Sequence, residues 1–149
     1  MRRSGEGCSA VADVYETTAR AILTQGTLVL LAGKASEDFW ILPGGHVEEG
    51  EHALEAVRRE CWEEIGTALA DLRKLTLLPS IWTRRGDVVH ETMHLYAATV
   101  RRGPTGVLPS GPERQTLLRW ASVDDVYAGR AALVPVAVWP WVVRMARAS

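Results

Sequence analysis

Over most of the chain, apolar and β-branched residues come in short runs separated by glycine and polar clusters; in one stretch they switch to helical spacing. Residues 17–24 and 27–32 are β-rich runs around Gln25-Gly26, which predicts an antiparallel hairpin. A polar connection at 33–38 leads into a short apolar strand at 39–42. Trp40 in that strand has two roles open, core packing or the border of a pocket, and core is the commoner use of such a residue. Pro43, Gly44, Gly45 and Gly50 make the next stretch a loop by composition. From about Glu51, residues Ala53, Leu54, Val57, Cys61 and Ile65 recur at helical intervals and mark one buried stripe. Gly66 stands where the C-cap of that helix belongs.

After the helix, 72–78 reads as a strand that Pro79 bends or ends, 81–84 as a weak continuation, and Arg84-Arg85-Gly86-Asp87 as a turn. The longest β-like run is 88–100. Three glycines and three prolines make 101–112 a loop, long enough to suggest a functional role. Residues 115–121 form another strand, and Ser122 before Asp124-Asp125 is the N-cap of a short helix reaching about Ala128. The run 136–148 fits a C-terminal helix whose early part Pro140 breaks or kinks. Trp139, Trp141, Val142 and Val143 carry more apolar surface than one face of a short helix usually buries. A homodimer contact therefore stands beside simple packing on the sheet as a use for them. The pattern predicts a loosely held tail over 1–13 and a single α/β domain over 14–149.

Composition narrows the classes. A chain of 149 residues, 47% hydrophobic, has material for one domain with a real core. A formal net charge of −1 argues against a polyanion-binding surface, so duplex nucleic acid is not an expected partner. No long uncharged apolar run predicts a membrane span, and the start lacks the apolar segment of a secretory signal. Cys8 and Cys61 are too few and too differently placed for a disulfide framework, so the expected location is cytoplasmic.

Candidate chemistry sits on the central helix. Glu60, Glu63 and Glu64 are three and four residues apart, so they crowd one face. Clustered carboxylates repel one another unless a cation lies between them, and oxygen ligands at this density suit Mg²⁺ or Mn²⁺. An acidic helix face alone is usually only a solvated surface. The spacing changes that: Gly45, five residues, Glu51, seven residues, Arg59-Glu60, an apolar position, one residue, Glu63-Glu64, one residue and Gly66.

That arrangement resembles the Nudix box, seven residues at set spacing over 23 positions, with Cys61 and Thr67 at sites usually held by larger aliphatics. The resemblance implies an α/β/α sandwich around a mixed sheet. It also implies hydrolysis of a pyrophosphate linkage in a nucleoside diphosphate joined to another group. By the same resemblance Glu60 and Glu64 are primary ligands of Mg²⁺ or Mn²⁺, Glu63 supports them, and the Gly44 carbonyl completes the shell. Arg59 orients a carboxylate, Glu55 or Glu63 by helical spacing, while Glu51 is structural at the helix start. Glu60 and Glu113 are both candidates for the general base. Arg84, Arg85 and the 101–112 loop are candidates for contacts to the nucleotide-type substrate.

Two other readings compete. A non-catalytic nucleotide-binding module on the same scaffold would be favoured by missing box carboxylates, but all three are present. His90-Glu91-Thr92-Met93-His94 spells the H-E-x-x-H of zinc peptidases, a pattern that works only on a helix. Its surroundings are β-branched and aromatic. On a strand the two histidines would stand roughly 13 Å apart, too far for one zinc. The pattern is a coincidence on that reading, although His90 or Glu91 can still reach a site from the strand.

Overall fold

The computed structural model describes residues 10–100 and 115–148. Strands β1 (Asp13–Gln25), β2 (Leu28–Gly33), β3 (Gly44–His46), β4 (Leu69–Arg84), β5 (Asp87–Val100) and β6 (Leu117–Ser122) form one six-stranded sheet. Its order is β4-β5-β1-β2-β6, with β3 paired to β1. Among the described strands β1 and β5 pair in parallel and the other pairs are antiparallel, so the sheet is mixed. Helix α1 (Ala53–Ile65) covers one face; α2 (Val123–Tyr127) and α3 (Trp139–Ala148) cover the other.

Alternation along the central strands divides the core. Ala19, Ala21, Leu23, Leu30, Tyr96 and Ala98 pack against Ala56, Val57, Cys61 and Ile65 of α1. Ile22, Val29, Leu31, Met93 and Leu95 point the other way, onto Val126, Val138 and Val142. The expected α/β/α sandwich is therefore the observed one. The apolar C-terminal run packs within the chain: Val142 is buried, and Trp139, Trp141 and Met145 pack against the core.

Several boundaries differ from the sequence expectation. The glycine stretch is a strand in part, because Gly44 to His46 pair antiparallel with Arg20 to Thr18 of β1. The apolar segment 39–42 is instead held by two isolated bridges, Ile41 to Ala32 and Trp40 to Leu133. Trp40 packs against the core. Pro79 neither ends nor divides β4, since this strand lies at the sheet edge, where a missing N–H breaks no ladder. Helix α1 starts at Ala53, with His52 as N-cap; its backbone N donates to Glu55 at 3.4 Å. At the other end Gly66, at φ 76°, closes it as expected through an N–H to Trp62 O bond of 2.8 Å. Ser122 caps α2, accepting from Asp125 N at 3.0 Å. Residues 136–138 form a single 3-10 turn before α3, which leaves Pro140 in the first helical turn, where it is tolerated.

Candidate active site

A cavity of about 720 Å³ opens on the α3 side of the sheet beside β3. Glu16, Thr18 and Arg20 of β1, Gly44, Gly45 and His46 of β3, and Glu91 of β5 line it. Glu60 and Glu64 reach it from α1 on the opposite face, passing the strand at its glycines. A Cβ on Gly45 would lie 2.5 Å from the Glu60 carboxyl carbon, and one on Gly44 would lie 2.2 Å from the Ala19 carbonyl oxygen. Gly44 sits at φ 137°, a region open mainly to glycine. The paired glycines therefore make a gap through which helix carboxylates enter a cavity that belongs to the other face.

A backbone amide and a guanidinium help to hold those carboxylates. Gly44 N donates to Glu64 Oε2 at 3.2 Å, and Glu64 is buried. Arg59 donates through Nε and Nη2 to both oxygens of Glu51, at 2.8 and 3.0 Å. The same guanidinium reaches Glu60 Oε1 at 3.0 Å, Glu63 Oε1 at 3.4 Å and the His46 carbonyl at 3.1 Å. Of the two carboxylates expected for Arg59, Glu63 is in contact, while Glu55 accepts from His52 N instead; the shortest bond goes to Glu51, just ahead of the helix. The hydrogen bonds from Arg59 hold the Glu51 carboxyl below its ordinary value, and those to Glu51 raise the guanidinium in turn. Burial, then the charge of Glu64, pushes the Cys61 thiol up, so Cys61 serves as an inert core residue.

Of the other expected residues, Glu63 lies outside the cavity lining, with its side chain 41% exposed. Arg84 lines the cavity, donates to Glu16 and lies over the Trp82 ring at 5.3 Å. Arg85 does not line it; it sits at φ 51° in the β4–β5 turn. Glu113 and the 101–112 loop fall outside the described residues.

The H-E-x-x-H stretch lies on β5, as the composition predicted, and its two histidines have separate partners. His90 Nε2 meets Asp13 Oδ1 at 2.9 Å and its ring stacks on Tyr15. His94 Nδ1 meets Lys74 Nζ at 2.9 Å. Glu91 points to the other face and into the cavity, where Thr18 Oγ1 donates to it at 2.6 Å and Trp82 Nε1 at 3.1 Å.

The β1 contribution went unread in the sequence, although a signal was present. Glu16, Thr18 and Arg20 alternate along a strand whose other face is Ala19, Ala21 and Leu23. A polar stripe on a central strand is costly unless it lines a site. Glu16 lies beside His46 Nε2 at 3.1 Å and accepts from Arg84; burial works to raise its pKa, but these partners hold it below the ordinary value. Arg20 Nη1 donates to Leu42 O at 2.9 Å and so braces the entry to β3.

Helix α1 contributes the carboxylate oxygens of Glu60 and Glu64 to the cavity, a donor type suited to a hard divalent cation. Among the described residues, no three His, Cys, Asp or Glu side chains are gathered to hold an ion by themselves. Mg²⁺ is commonly held in that way, by one or two carboxylates, with water and substrate phosphate completing its shell. The residues therefore fit the implied cation.

Comparison with known proteins agrees with this geometry. The NUDIX domain family model matches residues 14–142. An RNA pyrophosphohydrolase of Psychrobacter sp. (strain PRwf-1) is 44% identical over 57 residues, covering 37% of this chain and 32% of that protein. The match thus spans about a third of that relative's length. An isopentenyl-diphosphate Delta-isomerase of Salmonella arizonae is 30% identical over 132 residues, covering 81% of this chain and 68% of that one. Among solved structures, a MutT NUDIX hydrolase from Burkholderia pseudomallei superposes with a TM-score of 0.58 at 27% identity, covering 74% of this chain and 84% of that one.

Proposed function

The chain belongs to the Nudix hydrolase family, whose members act on pyrophosphate bonds, and on that premise we propose that it hydrolyses a nucleoside diphosphate derivative with the help of Mg²⁺ or Mn²⁺. The observation that carries the reading is the entry of Glu60 and Glu64, past two glycines that nothing larger can replace without displacement, into a cavity also lined by Lys34, Arg20 and Arg84. The two relatives matched in sequence both carry a diphosphate in the names of their substrates or reactions.

Glu60 and Glu64, with the Gly44 carbonyl, would hold the cation, and Glu63 would support them through the shared Arg59. When bound, the cation supplies neutralisation of phosphate charge and acidification of water. The chain's own groups do the rest. Lys34, Arg20 and Arg84 attract the phosphates and offset charge that builds on the non-bridging oxygens. Arg59 keeps the Glu60 carboxylate in one orientation by holding it against the Glu51 anchor. Either Glu60 or Glu113 accepts the proton of the attacking water, which must approach phosphorus opposite the leaving phosphate.

The test is phosphate release across a panel of nucleotide derivatives at varied magnesium concentration. Glu60→Gln and Glu64→Gln keep side-chain volume but remove the charge a hard dication requires. Each should lower turnover about a hundred- to a thousandfold with the fold intact. Glu55→Gln is the control, since glutamine serves equally well in its capping position. Unchanged magnesium-dependent rates in both site variants would refute the reading. A wild type that binds nucleotides without turning any over would favour the binding-module alternative.

A further inference from the structure

Among the described residues, the buried polar or charged side chains are Thr18, Glu64 and Glu91, and all three line the cavity. Glu64 belongs to the proposed hydrolytic site; the proposed hydrolysis leaves Thr18 and Glu91, in the same cavity, without a role. A carboxylate taken out of water is costly unless its oxygens are satisfied. Glu91 is 7% exposed, and its hydrogen bonds come from two neutral donors, Thr18 on Oε2 at 2.6 Å and Trp82 on Oε1 at 3.1 Å. Two donors hold the plane of the group but do not exhaust it, because an ionised carboxylate offers about four lone-pair sites. Both oxygens thus keep acceptor capacity at a surface of the cavity. The same cavity is lined by Phe39, Ile41 and the Trp82 indole, apolar surface suited to a flat ring.

We infer that Glu91 is a specificity-determining residue, its two oxygens accepting from adjacent N–H donors on the edge of a guanine-type base. The inference rests on the nucleotide substrate of the proposed function. Guanine carries N1–H and the N2 amine side by side, which matches a carboxylate with two parallel charge-assisted bonds. Hypoxanthine lacks the second donor. Adenine sets one amine beside an acceptor nitrogen, and uracil sets its N–H between two carbonyl oxygens, so both place acceptors against the carboxylate. Thr18 and Trp82 act through Glu91 as positioning residues.

Calorimetric titration of the full chain with GMP, IMP, AMP and UMP, without metal, isolates base recognition from chemistry. GMP should bind about ten- to a hundredfold more tightly than IMP, the value of one hydrogen bond to a charged group, and UMP most weakly. Glu91→Gln should bring the GMP to IMP ratio close to one at an unchanged melting temperature. Glutamine can keep both local bonds, since its carbonyl accepts from Trp82 while the Thr18 hydroxyl reverses to accept from its amide. Equal affinity for GMP and IMP in the wild type overturns the inference without needing any variant. A Glu91→Gln protein that keeps the ratio but loses magnesium-dependent hydrolysis overturns it too, and makes Glu91 part of the metal site. Guanine discrimination without hydrolysis of any nucleotide supports this inference while removing the hydrolytic one.

Discussion

Gly44 and Gly45 are neighbours, yet the structure gives them different duties, and single substitutions should separate them. A methyl group at Gly45 comes nearest the end of the Glu60 side chain, at 2.5 to 2.8 Å, which can swing aside at little cost. Gly45→Ala should therefore melt near the wild-type temperature while losing most of its activity, because the displaced group is the carboxylate itself. At Gly44 the same methyl meets backbone, the Ala19 oxygen at 2.2 Å and the Arg20 Cα at 2.7 Å, at a φ of 137°. Gly44→Ala should cost about 1–3 kcal/mol or more of stability. Thermal melts and rates measured on both variants check the contrast. Equal stability loss in the two would mean that the strand, rather than the carboxylate, sets the demand for glycine at 45.

Helix α1 shows how one element serves packing and chemistry with different faces. Its buried stripe, Ala56, Val57, Cys61 and Ile65, anchors it to the sheet, while Glu60 and Glu64 turn toward the gap at β3. Trp62 projects outward, 52% exposed. Ile65→Ala should destabilise the chain by about 2–5 kcal/mol, as deletion of buried aliphatic atoms does, and should weaken activity by loosening the carboxylates. Trp62→Ala should change stability by no more than about 0.5 kcal/mol, as expected for exposed positions. Urea unfolding of both variants decides; a larger loss at Trp62 would mean that the outer face of α1 is covered in solution. Strand β4 offers a second case at this scale. The rule that proline interrupts a strand holds for central strands, and β4 escapes it only because tertiary structure put it at the edge.

For the whole molecule, stability should follow pH in two separate windows. Burial, then the Lys74 ammonium, holds the His94 imidazole below its ordinary value of 6.5. As pH falls the unfolded chain takes up that proton before the folded one. The contribution is therefore complete above about 6.5 and is lost as pH drops toward the folded value. Glu16, held below its ordinary 4.5, contributes stability that is complete above 4.5 and lost in more acid solution. Melting temperatures measured from pH 8 to about pH 2 should show both slopes, and His94→Gln should flatten only the upper one. An unchanged upper slope in that variant would assign it to another group. Among the described residues, no helix is long and apolar enough to cross a membrane.

The sequence alone determined whatever depends on local period and spacing. Helix α1, its Gly66 cap and its row of carboxylates were legible because a 3.6-residue repeat and a C-cap glycine are short-range signals. The strand character of 88–100 was legible from β-branched composition, and it set aside the zinc motif before any contact was known. Tertiary structure alone decided what meets across the sheet. That Glu91 joins Thr18, that Arg59 turns to Glu51, and that Arg84 reaches the cavity while Arg85 does not are all outcomes of register between strands distant in sequence or of a turn's geometry. Register has a period of two, so a shift of one residue would send Glu91 to the opposite face and the histidines into the cavity. Alternation along 88–95 separates Glu91 from the two histidines, but which β1 residues Glu91 meets is supplied by the pairing of β1 with β5.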